Sequence, residues 1–86
     1  MRDKEGKLIG KVTHYFDKIK VMVVELVASL KAGDMIRIIG GESTDFEQKV
    51  GSMEVEHKKI KQGKKGESVG LEAKDKVREG YKVYKI

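Results

Sequence analysis

An all-β domain is what this sequence predicts, and three observations carry the prediction. Apolar residues recur with period two in segment after segment, and no segment shows the i, i+3, i+4 stripe of a helix. Glycine occurs ten times and punctuates those segments, while proline is absent. The segments are short and evenly spaced, so 86 residues accommodate roughly six or seven antiparallel strands in one barrel or sandwich.

Residues 1–6 are polar and read as a flexible N-terminal tail, leaving 7–86 as a single β domain. From Lys7, residues Leu8, Gly10, Val12, His14 and Phe16 share one face and Ile9, Lys11, Thr13 and Tyr15 the other. This is a strand in which Gly10 marks a bend or a close approach. A tight connection at Asp17 and Lys18 leads to a second strand over 19–27. Ile19, Val21 and Val23 lie on one side of it, and Met22, Val24 and Leu26 on the other. Two apolar faces predict cover on both sides, or one face awaiting a protein partner.

Leu30 to Asp34 is a turn in which Gly33 supplies a positive φ, and 35–39 is the next strand. A loop at 40–43 precedes a strand over 44–50, where Phe46, Gln48 and Val50 share a face. The inward phase then slips to Met53 and Val55, so Gly51 and Ser52 mark a bulge or bend between two sides of the domain. A lysine-rich connection follows, in which Gly63 and Gly66 set a turn, and then a strand over 68–73. A solvated linker at 74–76 leads to a second glycine turn at 77–80 and a last strand over 81–86. Phe16 and Phe46 share phase with core positions, and Tyr81 and Tyr84 are expected to close the structure.

Composition narrows function less than fold. With no cysteine, disulfide frameworks, thiolate metal sites and cysteine nucleophiles are excluded. No apolar run approaches the ~20 residues of a spanning helix. The polar start is neither a signal nor a transit peptide, so a cytoplasmic, non-membrane protein is expected. Nineteen bases against fourteen acids give a net charge of +5. That favours a polyanionic partner such as RNA, and equally fits a mixed, solvated Lys/Glu surface. His14 and His57 are the two histidines, too few for a zinc site, and Glu54 and Glu56 point to opposite faces of a strand. No catalytic residue, metal site or cofactor is expected.

Four stretches, in order, carry a family likeness. They are Leu30-Lys31-Ala32-Gly33-Asp34-Met35-Ile36-Arg37-Ile38, residues 50–57, Gly63-Lys64-Lys65-Gly66-Glu67-Ser68-Val69-Gly70-Leu71, and Val77-Arg78-Glu79-Gly80. Together they resemble the second domain of elongation factor Tu, which recurs in the translational GTPases. They are also similar to stand-alone elongation-factor-like proteins and to the small C-terminal barrel of U32 peptidase-like proteins, some of which act on RNA. The resemblance implies a small closed antiparallel Greek-key barrel and a role in translation or RNA modification. There is no GxxxxGK[ST] phosphate loop, so GTP binding is not expected. The stretch from His14 to Lys20 departs from the family's glycine-rich hairpin.

The same likeness implies a pocket that holds an RNA end, with Glu54, His57 and Ser68 at its rim. A glutamate accepts a hydrogen bond from the amino group of an unstacked base, although an outward Glu on a strand is usually a solvated residue. Lys58, Lys59, Lys61, Lys64 and Lys65, with no acid between His57 and Gly66, suit phosphate contacts or a solvated loop. Tyr15, Phe16 and Phe46 could stack on bases, and the core phase of the two phenylalanines makes Tyr15 the better candidate. The sequence thus predicts a non-catalytic RNA-binding module for tRNA or rRNA. The other reading is a protein-interaction module that docks through the 19–27 strand on a larger enzyme or translational GTPase.

Overall fold

Period-two alternation becomes antiparallel strands in every segment that carries it. The computed structural model describes residues 6–41, 44–56 and 58–86. Strands β1 (Lys7–Phe16), β2 (Val21–Leu26), β3 (Leu30–Lys31), β4 (Met35–Gly40) and β5 (Thr44–Lys49) form the first half. Strands β6 (Met53–Val55), β7 (Lys58–Ile60), β8 (Gln62–Gly63), β9 (Ser68–Glu72) and β10 (Lys82–Lys85) form the second. Eight of them make one sheet in the order β5-β4-β10-β1-β2-β9-β6-β7, and β3 pairs with β8. The last strand therefore lies inside the sheet, between β4 and β1.

One face of the sheet holds the core. Ile9, Val12, Met22, Val24, Leu26, Leu30, Ile36, Ile38, Met53, Val69, Leu71 and Val83 are buried in a single cluster. Each contributes about 1.5–3 kcal/mol by leaving water. No polar or charged side chain is buried among the described residues. The sheet curls enough for β5 to reach β9. The Gln48 amide donates to Glu72 O at 2.8 Å and accepts from the Lys74 N–H at 2.7 Å. Among the described residues no ladder joins the β5 end to the β7 end, so the fold is an antiparallel all-β sheet curled around one core.

The glycine turns share one construction. Gly33, Gly66 and Gly80 have φ of 95°, 91° and 93°, a region closed to most side chains. The Gly33 N–H donates to Val50 O, and the Val50 N–H donates to Asp34 O, both at 2.8 Å. Gly66 and Glu67 grip Leu26 in the same way, as Gly80 and Tyr81 grip Val12. Two residues thus oppose one, a bulge that twists the strand away from the turn. An acid closes the first two turns: Asp34 Oδ2 accepts the Lys31 N–H at 2.9 Å and Glu67 Oε1 the Lys64 N–H at 2.7 Å.

Several expectations need correction. The register of β1 shifts twice, between Leu8 and Gly10 and between Val12 and His14. Each shift exchanges the two faces. Tyr15 therefore packs against the core, whereas Phe16, expected in the core, is 46% exposed. Gly10 is a close approach, since a Cβ there would lie 2.7 Å from Glu25 O. Tyr81 packs against the core, but Tyr84 shares its face with Lys82 and is half-buried. The lysine connection is not one loop. It holds β7 and β8, because backbone groups there pair with β6 and β3. Gly63 is a strand residue in that arrangement, and the turn falls to Gly66 alone. The expected strand over 19–27 is shorter, with Ile19 in the preceding turn and 64% exposed.

Candidate nucleic-acid interface

The outward face of β2, β9, β6 and β7 carries three of the sequence candidates, Glu54, Lys59 and Ser68. Alternation that sends Val69 and Leu71 into the core leaves Ser68, Gly70 and Glu72 outside. In register, Val23 faces Gly70, Gly70 faces Glu54, and Glu54 faces Lys59, so these four residues form one row across the strands. The neighbouring row runs Phe16, Val21, Glu72. The row on the other side runs Lys11, Glu25, Ser68.

A groove of about 500 Å³ opens on this face. Gly70, Leu71 and Val21 line it, with Glu54 and Glu72 as acids, Lys49 and Lys74 as bases, and Gln48, Gly51 and Ser52 completing the wall. Gly70 keeps the groove deep because it has no side chain. A Cβ built there meets only Val21 Cγ1 at 3.6 Å and Glu54 O at 3.8 Å, so the space above it is open rather than filled by neighbours. Gln48 fixes the far wall through the two hydrogen bonds already described. Two acids and two bases around an apolar floor suit a flat polar ligand that carries both a hydrogen-bonding edge and an anionic group.

The predicted residues fall in different places. Glu54 lines the groove and Lys59 stands opposite it in the ladder. Ser68 is two residues along β9 from Gly70, paired with Glu25 and outside the groove. Lys58 pairs with Val55 near the hairpin tip, where Glu56 adopts a φ of 52°. Lys61 O accepts the Ala32 N–H at 2.9 Å, which ties that segment to β3. Lys64 and Lys65 belong to the Gly66 turn. Because β6 and β9 are antiparallel, the hairpin tip and this turn lie at the same end of β9. His57 lies outside the described residues. Tyr15 is half-buried against the core and borders a smaller hollow with Asp17, Lys20 and Lys74.

Sequence reasoning set Phe16 aside as a core residue, and it missed Val21, Gln48, Lys49, Glu72 and Lys74. Gln48 and Lys49 approach Glu72 and Lys74 only because the sheet curls, and no local pattern reports that. Among the described residues no cluster of three or more His, Cys, Asp or Glu could hold a metal ion. No helix there is long and apolar enough to cross a membrane.

The architecture defines a class: the chain is similar in fold to the all-β C-terminal domain of U32 peptidase-like proteins. The crystal structure of that domain from a Geobacillus thermoleovorans U32 peptidase-like protein matches with a TM-score of 0.87 at 16% identity, covering 100% of this chain and 99% of that one. Its selenomethionine form matches with a TM-score of 0.86, covering 91% and 98%, also at 16% identity. In sequence, the chain is 43% identical over 76 residues to an uncharacterized protease of Methanocaldococcus jannaschii. That match covers 88% of this chain and 19% of the protease, so the chain spans about a fifth of the length of the curated relative it matches. No family model matches the chain.

Proposed function

We propose that this chain is a non-catalytic module of a larger protein and that it binds single-stranded RNA, tRNA or rRNA, across the outer face of β9, β6 and β7. The observation that carries the reading is the row Gly70–Glu54–Lys59 beside an open groove. A carboxylate there accepts from a base amino group, and the adjoining lysines neutralise phosphates. The sequence likeness to the second domain of elongation factor Tu supports the same use of Glu54, and it supports a barrel-like role for the curled sheet. The fold likeness to a C-terminal domain and the long relative named a protease support a module carried beside a separate catalytic part. Such a module has no chemistry of its own and delivers or holds the substrate.

The test is a salt series of tRNA and ribosomal-RNA-fragment binding. Wild-type affinity falls steeply with salt. Replacing Lys58, Lys59, Lys64 and Lys65 by alanine lowers the log–log slope by up to about 3, at about 0.7 for each phosphate left without its lysine. No binding at low salt, or a slope unchanged by the four substitutions, sinks the reading.

A second reading rests on a specific observation, the exposure of Phe16, which pairs with Val21, and of Ile19 in the turn before Val21. It makes the β1–β2 edge of this face a docking surface for a larger enzyme or translational GTPase. Sedimentation with the full-length partner protein tests it, and a non-interacting monomer counts against it.

A further inference from the structure

We infer that Phe16 is the stacking platform of this interface, a base resting on its ring while the neighbouring groove receives the base edge or the next nucleotide. The inference rests on the RNA-binding reading and names the residue that reading lacked. The register shift after Val12 turns Phe16 outward, onto the same face as the groove rather than into the core. It stands directly opposite Val21, which lines the groove, and Val21 stands opposite Glu72, which lines it too. The ring is therefore one strand away from the groove wall.

The ring is also held in place. The His14 and Phe16 centroids lie 4.5 Å apart at an interplanar angle of 61°. The His14 Nδ1 is itself 3.5 Å from Glu79 Oε2. An edge contact braces the Phe16 ring from one side, so a base that stacks on it meets a preset orientation and orders little. The exposed turn after Phe16 interleaves charge with apolar surface: Lys18 and Lys20 flank Ile19. Lysines beside an exposed ring are the arrangement that single strands require, a π-face for the base and cations for the backbone. An apolar protein partner would leave those lysines facing buried surface, an unfavourable arrangement.

Stacking tolerates any base, so the platform contributes affinity for unpaired RNA and little sequence preference. Duplex RNA, whose bases are already stacked, gains nothing from it.

The experiment uses the full chain with Phe16→Ala and Phe16→Tyr, checked by thermal melts. The probes are unstructured 2-aminopurine-labelled RNA oligonucleotides and a matched RNA duplex. Phe16→Ala is expected to weaken single-strand binding roughly 5- to 100-fold, with the salt slope unchanged because no charge is removed. Phe16→Tyr retains affinity, and the change in 2-aminopurine fluorescence on stacking disappears only in the alanine variant. If Phe16→Ala binds like wild type while the lysine variants do not, the platform is refuted and the RNA reading stands. If wild type binds no RNA, both fall together. If Phe16→Ala keeps RNA binding but loses association with a protein partner, the patch is a protein-docking site and the platform is refuted.

Discussion

Gly70 offers a perturbation with opposite consequences for stability and for binding. It is a strand residue without a positive φ, so it supplies no backbone conformation that alanine lacks. Glycine inside a strand costs roughly 0.5–1 kcal/mol relative to alanine through the unfolded chain's freedom. The new Cβ would meet neighbours at 3.6 and 3.8 Å, which are ordinary contacts. Gly70→Ala should therefore gain about 0.5–1 kcal/mol and raise Tm by about 2–8 °C. Gly70→Leu should still fold but fill the groove floor, and RNA affinity should drop about tenfold or more, a loss of at least about 1.4 kcal/mol. Gly63→Ala is the contrast, because its Cβ would lie 2.6 Å from Leu26 Cδ1 and 3.0 Å from Val69 Cγ1. Both neighbours are fully buried, so overpacking should cost about 1–3 kcal/mol. Urea melts of the three variants, with binding titrations on Gly70→Leu, decide the matter. A Gly70→Ala variant as unstable as Gly63→Ala, or a Gly70→Leu variant with full affinity, would refute the account of an open groove.

Three more expectations follow from the geometry. Gly40→Ala drives a Cβ into the Tyr81 ring; the ring must move, and chemical denaturation should show a loss of about 1–3 kcal/mol. Lys20 adopts a φ of 56° between β1 and β2, so Lys20→Gly should relieve strain and stabilise by up to about 1 kcal/mol, read from the urea midpoint. Arg37 donates from Nε and Nη2 to the two Asp45 carboxylate oxygens, each at 2.7 Å. The hydrogen bonds from Arg37, opposed by partial desolvation and reinforced by its charge, hold the Asp45 carboxyl below its ordinary value. A depressed carboxylate contributes stability that is fully present above the unfolded pKa and is lost as pH falls through the folded one. As pH falls below the ordinary carboxylate value of about 4, wild type should therefore lose more stability than Arg37→Met, measured by melts across the acid range.

The strands were legible because their alternation survives in the sequence, and so were the turns at Gly33, Gly66 and Gly80, where only glycine fits. Phase was not. Two register shifts in β1 reverse which side faces the core, and they exchange Tyr15 with Phe16. Gly10 marks the first shift, but the second, between Val12 and His14, leaves no glycine or proline behind for period-two counting to see. The lysine stretch misled for a related reason. Charge reads as loop, yet Lys58 and Lys59 pair through their backbones with β6, a bond that side-chain polarity does not report. Glu54 was found through likeness of motif. Its neighbours Lys49 and Lys74 depend on the curl of the sheet, which belongs to no single segment.

The interior place of β10 sets the order in which the fold can assemble. Its ladder to β1 joins Lys7 to Lys85, and its ladder to β4 reaches back to residues 36–39. Until β10 arrives, β4 and β5 form one piece and β1, β2, β9, β6 and β7 another, with a cleft of unsatisfied backbone between them. On a translating ribosome the sheet therefore stays split until the last strand emerges, and closure waits on the most distant pairing in the chain. A copy cut short before Val83 would expose two unprotected edges beside a bisected core, a state prone to pair with its own kind.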